Sequence, residues 1–356
     1  MSHTSDDVLG SRKADHIDLC NDRDVEARSR STLFEHVHLL HDSLPELDVE
    51  EIDLSTSIAG LPLRAPLMIS GMSGGIERAR ILNETLAVVA QEFGFAFGVG
   101  SQRAMMRDPS VTSSYAVRSM APDVVLMGNI GAVQAAESSI QELEDLVGAI
   151  DANALCIHLN PGQEIIQEHG DRDFRGCLAG IERAADELSV PVIAKETGCG
   201  LGPSALDRLR DVGVRTVDVS GLGGTTWVGV ETLRSRGVRE AVGDALWDWG
   251  IPTAAAVHYA ADRGLEVIAS GGIRSGADAA KAVALGANVA SCALPWLRAV
   301  QSGGLDGARQ VARVFVETLR AICLLTGSPN IAALREAPRV VGPPLERWMH
   351  QSFPAP

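Results

Sequence analysis

The chain has 356 residues and a formal net charge of −15, with 22% charged and 46% hydrophobic side chains. An acidic surface is not drawn to nucleic acid or to an anionic membrane, so neither partner is expected, and an anionic ligand would need a local cluster of cations. The length suits one large domain with tails, because α/β barrels run past about 200 residues as a single unit.

The N-terminal stretch Met1–Lys13 is polar and acidic where a signal peptide needs an apolar core, and no apolar run reaches about 18 residues. A soluble, cytoplasmic protein is expected. Next come the adjacent cations Arg12 and Lys13, ahead of any strand. Such a pair is either solvated surface charge or a clamp for a diphosphate, Arg through its planar fork and Lys as a point charge. The histidines His36, His38 and His41 alternate with Val37, Leu39 and Leu40 and have no cysteine nearby, which reads as surface or interface, not metal. Six cysteines, Cys20, Cys156, Cys177, Cys199, Cys292 and Cys323, form no C-x-x-C pair and read as reduced thiols.

From Ala65 onward a short apolar run, a Gly- or Asn-containing turn and a stretch of helical spacing alternate. The strand-like runs are Pro66–Ser70, Phe95–Gly100, Val124–Asn129, Leu155–Asn160, Val192–Glu196, Thr216–Ser220, Val267–Gly271 and Val289–Leu294. Helices are expected over Ile81–Glu92, Gln141–Ile150, Cys177–Glu187, Ser204–Asp211 and Asp278–Leu285. Eight βα units, with no G-x-G-x-x-G opening the first, predict an α/β protein with a single (β/α)8 TIM barrel, not an open doubly wound sheet. The expected organisation is an N-terminal extension over 1–64 bringing Arg12 and Lys13, a barrel over 65–337, and a mobile C-terminal tail over 338–356.

Barrel chemistry sits where the strands end. There the sequence places Gly71-Met72-Ser73, Ser101 and Arg103, Asn129, His158 to Glu164, Lys195-Glu196, Ser220 to Thr225, Gly272-Ile273-Arg274 and Ala293-Leu294. The double glycine before Ile273, with Ala293-Leu294 one unit later, has the form of a phosphate site made of backbone N–H groups and a helix N-terminus. Lys195 needs an anion or an electron-rich ring, or else a rim carboxylate such as Glu196. The turn Gly221–Thr225 either wraps a planar cofactor or is simply flexible.

These segments together resemble the type 2, flavin-dependent isopentenyl-diphosphate isomerases. The motifs that carry the resemblance are RKADHI, LPELDVEEIDLSTSIAG, ISGMSGG, GVGSQR, HLNPGQE with GDRDFRG, VIAKETGCG, DVSGLGGTTW, DWGIPTA and IASGGIRSGADAAKAVALGA, from Arg12 to about Pro338. The resemblance implies interconversion of isopentenyl and dimethylallyl diphosphate on reduced FMN, with Mg²⁺, with NADPH only as reductant, and in a homo-oligomer, a tetramer or octamer. By position, Arg12, Lys13 and Arg103 would hold the diphosphate, Gln163 would face the isoprene unit, and Glu164 would ligate Mg²⁺. His158 and Asn160 would position substrate or Gln163. FMN would lie against Gly71, Met72, Ser73, Ser101, Asn129, Lys195, Ser220 and Thr225, with its phosphate at Gly272, Ile273, Arg274, Ala293 and Leu294. Ser73 stands where the family often has Thr, and Gly162 where a larger residue is common, which bears on how Gln163 is aimed.

Moving a double bond adds one proton and removes another at unactivated carbon, and an amide does neither near neutral pH, so the acid–base work falls to the flavin. An FMN-dependent 2-hydroxy-acid oxidase or dehydrogenase would need a His base with an Arg nearby, and Gly221–Trp227 has neither. A barrel resembling inosine-monophosphate dehydrogenase would need a nucleophilic cysteine, for which Cys199 is the candidate without the rest of the motif. A non-enzymatic flavin-binding redox sensor would not need Arg12, Lys13, Gln163 and Glu164 together.

Overall fold

The computed structural model describes residues 5–353, of which 5–11 by backbone alone. The first four residues of the expected extension and the last three of the expected tail lie outside the described residues. All eight expected strands form: β1 (Leu67–Ile69), β2 (Ala96–Gly98), β3 (Val125–Gly131), β4 (Ala154–Leu159), β5 (Val192–Glu196), β6 (Thr216–Asp218), β7 (Glu266–Ala269) and β8 (Val289–Cys292). Each pairs in parallel with its successor, and β8 pairs with β1 through Ala290 opposite Leu67, so the sheet closes into a barrel. Strands covered on both faces need apolar groups on both, which is why these runs are near-continuous Val, Ile, Leu and Ala instead of alternating.

The expected helices appear as Glu77–Phe93, Ile140–Gly148, Cys177–Glu187, Pro203–Asp211 and Gly276–Ala284. Local chemistry sets their ends. Ser139 and Glu142 form a reciprocal capping box at Ile140, and Gly94, at φ 69°, ends Glu77–Phe93 in the left-handed region. Helices not expected from spacing are α1 (Ser5–Asp22), Trp227–Arg234, Val238–Ala245, Thr253–Asp262, and the long Leu294–Leu325, which is broken at Gly304.

The extension does two jobs. Its hairpin, Thr56–Ile58 against Leu61–Leu63, inserts the buried Ile58 and Leu63 beneath the barrel among Met68, Met127, Ile193, Ile268 and Val289, stoppering the N-terminal mouth. α1 lies across the opposite mouth. The tail departs from the mobile segment expected after Pro338. Arg339–Val341 pairs antiparallel with Val37–Leu39, the helix Pro343–His350 buries Leu345, and Tyr259 Oη donates to Trp348 O at 2.7 Å. A proline-rich composition hid those few anchoring contacts.

Five of the cysteines are buried and Cys199 is half-buried, with no disulfide among the described residues. No helix among them is long and apolar enough to cross a membrane.

Candidate active site

The C-terminal ends of the strands and one face of α1 enclose a cavity lined by every residue to which the resemblance gives a role except Ile273; Glu196, Gly162 and the turn 221–224 do not line it. The Ile273 side chain is fully buried in the core behind its turn.

Backbone from three turns packs too closely for side chains. A Cβ on Gly71 would lie 2.1 Å from Val99 O, on Gly224 2.2 Å from Gly272 N, and on Gly272 2.6 Å from Gly223 O. Gly271 and Gly272 also have φ of 94° and 76°, which disfavour any L side chain. The turns after β6 and β7 therefore interlock into a shallow peptide wall beside the start of the helix Gly276–Ala284, an arrangement suited to a planar ring and its phosphate. Arg274 is less free than its motif suggests: its guanidinium is ion-paired with Glu26 and its N–H donates to Asp278 at 3.0 Å.

Lys195 Nζ donates to the Glu196 carbonyl at 3.1 Å, but its charge is not paired with the Glu196 carboxylate. Its Nζ stands 2.9 Å from Asp218 Oδ2, an ion contact whose angle falls short of a hydrogen bond, and Asp218 Oδ1 accepts from Ser270. Asp218 is 0% exposed and Lys195 9%. The Glu196 carboxylate turns away and accepts four N–H groups, from Thr197 to Gly200, at 2.5–3.0 Å. Burial pushes Glu196 up to about 7, opposed by those donors.

At the end of β4, burial and then the charges of Lys195 and Arg103 lower His158 to about 4, so the ring is neutral near pH 7. Its Nδ1 lies 2.8 Å from Asn129 Oδ1. Glu164, on the short helix Pro161–Ile166, is buried. Its Oε1 accepts from Asn160 at 2.8 Å and its Oε2 from Gln167 at 3.1 Å and Asp171 N at 2.7 Å. Gln163 Nε2 reaches Glu231 Oε1 at 3.4 Å.

The cations converge from both ends of the chain. Lys13 Nζ donates to Gly74 O at 2.5 Å and to Tyr115 Oη at 2.8 Å, and Tyr115 in turn donates to Ser101 O. Arg12 Nε is buried and meets no acceptor among the described residues. Arg103 contacts Asp171 at 3.4 Å. Burial, and then the charge of Arg12, lower Lys13 to about 7. A bound anion favours the charged form, so a ligand holding Lys13 takes up a proton when it binds above pH 7. Substrate affinity is therefore expected to weaken as pH rises through about 7, and Lys13→Met to weaken it throughout and flatten that limb. A KM-against-pH profile of both proteins checks this, and an identical limb in the variant would assign it elsewhere.

Sequence reasoning missed Tyr115, Asp218, Trp227 as a cavity wall, and Glu231. Asp218 left one signal, a lone charge inside an apolar run. Glu231 left none, because a mid-helix carboxylate reads as surface. It is 1% exposed and binds His16 Nε2 at 2.8 Å and Arg234 at 2.9 Å.

Residues 133–340 match the family model of the FMN-dependent dehydrogenases. Among solved structures, a lactate oxidase of Pediococcus acidilactici aligns with TM-score 0.69 and 17% identity over 96% of each chain, and a mandelate oxidase variant with 0.63 and 18% over 91% of this chain and 95% of that one. At such identity these two show the shared barrel alone, while the family match makes the protein a flavin barrel of the FMN-dependent dehydrogenase class. The isopentenyl-diphosphate delta-isomerase of Thermococcus onnurineus is 43% identical over 97% of this chain and 95% of its own, and that of Methanosarcina mazei 43% over 93% and 91%. The chain belongs to the isopentenyl-diphosphate delta-isomerase family.

Proposed function

We propose that the protein interconverts isopentenyl and dimethylallyl diphosphate, with FMN held against the peptide wall and the substrate diphosphate under α1. The observation that carries this reading is the buried, unpartnered Nε of Arg12, a vacant donor in a cavity that Lys13 and Arg103 also line. Reduced FMN, when bound, would supply nitrogens able to donate one proton and accept another. The chain's own residues anchor, orient and dry the pocket. Arg12 and Lys13 fix the diphosphate, Gln163 aligns the hydrocarbon without exchanging protons, and neutral His158 holds Asn129 in place. Lys195 sets a positive charge at the cavity edge. NADPH would serve only to reduce the flavin, and a homo-oligomer remains the expected assembly.

Mg²⁺ fits the donors present in one way. No three His, Cys, Asp or Glu side chains converge among the described residues, so a cage of protein ligands is not formed. One carboxylate, Glu164, completed by substrate phosphate oxygens and water, is the ordinary manner in which Mg²⁺ is held. Glu164→Gln is expected to lower activity and blunt its Mg²⁺ dependence while FMN affinity stays within about twofold, because Glu164 lies on the helix Pro161–Ile166 and not on the glycine turns. Titrating activity with Mg²⁺ in both proteins checks it, and an unchanged metal requirement would place the ion elsewhere.

The reaction itself is tested by its electron balance. One equivalent of dithionite per site, without oxygen, is expected to support many turnovers, with deuterium entering the product in D₂O. Reductant consumed in proportion to product would instead favour a 2-hydroxy-acid oxidoreductase, and binding of FMN without turnover a redox sensor.

A further inference from the structure

Gly162, second residue of the helix that carries Gln163 and Glu164, has no positive φ, so its backbone does not demand glycine. Alanine would ordinarily favour the helix. What excludes it is one neighbour. A Cβ at 162 would lie 2.9 Å from Cys199 Sγ and 3.4 Å from Val228 Cγ2, with no other such atom within 4 Å.

Cys199 has little freedom to retreat. Its N–H donates to Glu196 Oε2 at 2.5 Å, its carbonyl accepts from Ile251 N at 2.9 Å, and Gly250 packs on its backbone so closely that a Cβ there would meet Cys199 O at 2.8 Å. The enclosed Glu196 carboxylate fixes the whole turn Thr197–Gly200 through four N–H groups. The thiol is thus mounted on a fixed turn after β5 and retreats only by rotating about its own χ1, seated in the notch that the missing side chain of Gly162 leaves. Burial raises the thiol out of the reactive range, so its part is steric.

We propose that Cys199 is a positioning residue: by filling the notch at Gly162 its sulfur sets where the Gln163–Glu164 helix stands in the cavity. The absent side chain at 162 and the sulfur at 199 form one complementary pair, so a larger residue is not interchangeable with Gly162 alone. This rests on the reading above, in which Gln163 and Glu164 serve the reaction.

The test is a four-protein cycle of FMN-loaded enzyme, wild type, Gly162→Ala, Cys199→Ala and the double variant, with Gln163→Ala beside it. Gly162→Ala is expected to lose kcat on the order of tenfold or more, as misplacement of an aligning group does. The FMN content should stay near wild type, since the glycine wall lies on other elements. Any rise in KM for isopentenyl diphosphate through Glu164 should be smaller than the fall in kcat, since Arg12, Lys13 and Arg103 lie off this helix. Cys199→Ala alone should lose several-fold in kcat. In the double variant the added Cβ meets only Val228, and kcat should return to within about threefold of Cys199→Ala even where Gly162→Ala is poorly folded. Wild-type kcat in either single variant, or a double variant no better than Gly162→Ala, overturns the proposal. If the cycle holds but Gln163→Ala keeps full turnover, the coupling stands and the role given to Gln163 falls.

Discussion

Lys195→Ala is expected to destabilise the protein by about 3–5 kcal/mol, because it leaves the fully buried Asp218 carboxylate with Ser270 as its remaining neighbour. Against a total stability of about 5–15 kcal/mol that is a large loss. Asp218 ends β6 and Lys195 lies in β5, so the pair locks two adjacent strands where the cavity begins. Adding Asp218→Asn removes the orphaned charge and is expected to restore most of the stability. Turnover should stay low, because the positive charge at the cavity edge is still missing. Urea unfolding, with and without FMN, and isomerase assays separate the two effects. Recovery of turnover in the double variant would reduce Lys195 to a counter-ion for Asp218, and undiminished stability in Lys195→Ala would mean that the pair does not hold the rim.

Glu231→Ala should have the next largest effect, because one buried carboxylate there holds three elements. It accepts from Arg234 on its own helix, faces His16 on α1 and meets Gln163 on the cavity helix. Losing it strands polar groups at a cost of about 1–3 kcal/mol and frees both the lid helix and the aligning amide, for a fall in kcat on the order of 100-fold. Glu231→Gln, which retains one acceptor, should fall in between. Burial alone would raise the Glu231 pKa, but the His16 hydrogen bond and the charges of His16 and Arg234 hold it below 4.5. Because the folded value is depressed, this stabilisation is complete above about pH 4.5 and is lost as pH falls through the lower folded value. Acid unfolding of wild type and Glu231→Ala should therefore diverge above that pH and converge below it. Parallel curves, or a normal kcat in Glu231→Ala, would refute the assignment.

The strands were legible because a parallel barrel strand is apolar on both faces, and runs such as Val192–Ala194 stand out from polar turns. The glycine wall was legible as motif, although only the structure shows that the turns at Gly224 and Gly272 interlock. Other elements lacked a signal of their own. α1 has polar residues on most faces and becomes a lid through individual contacts from Lys13 and His16. The stopper hairpin has three-residue strands, one of them interrupted by Pro62, too short for a period to show. Between β6 and β7 the helices at Trp227, Val238 and Thr253 lie so close together that turn signals blur their spacing. Glu231 and Cys199 depend on partners distant in the chain, and no local pattern reveals a partner.

The closure of β8 onto β1 also dictates when the site can exist. Leu67 leaves the ribosome long before Ala290, and the hydrogen bonds between them wait for nearly the whole chain. Arg12 and Lys13 emerge earlier still, yet Glu231, which tethers α1, comes far later. Until then the strands emerge with open edges, a state in which a nascent chain is exposed to mispairing. The tail makes the wait longer, since Arg339–Val341 is the strand that pairs with Val37–Leu39. A ribosome-stalled series should therefore acquire flavin fluorescence quenching abruptly once Leu294 has cleared the ribosome, not in proportion to length, with chaperone dependence concentrated before that point.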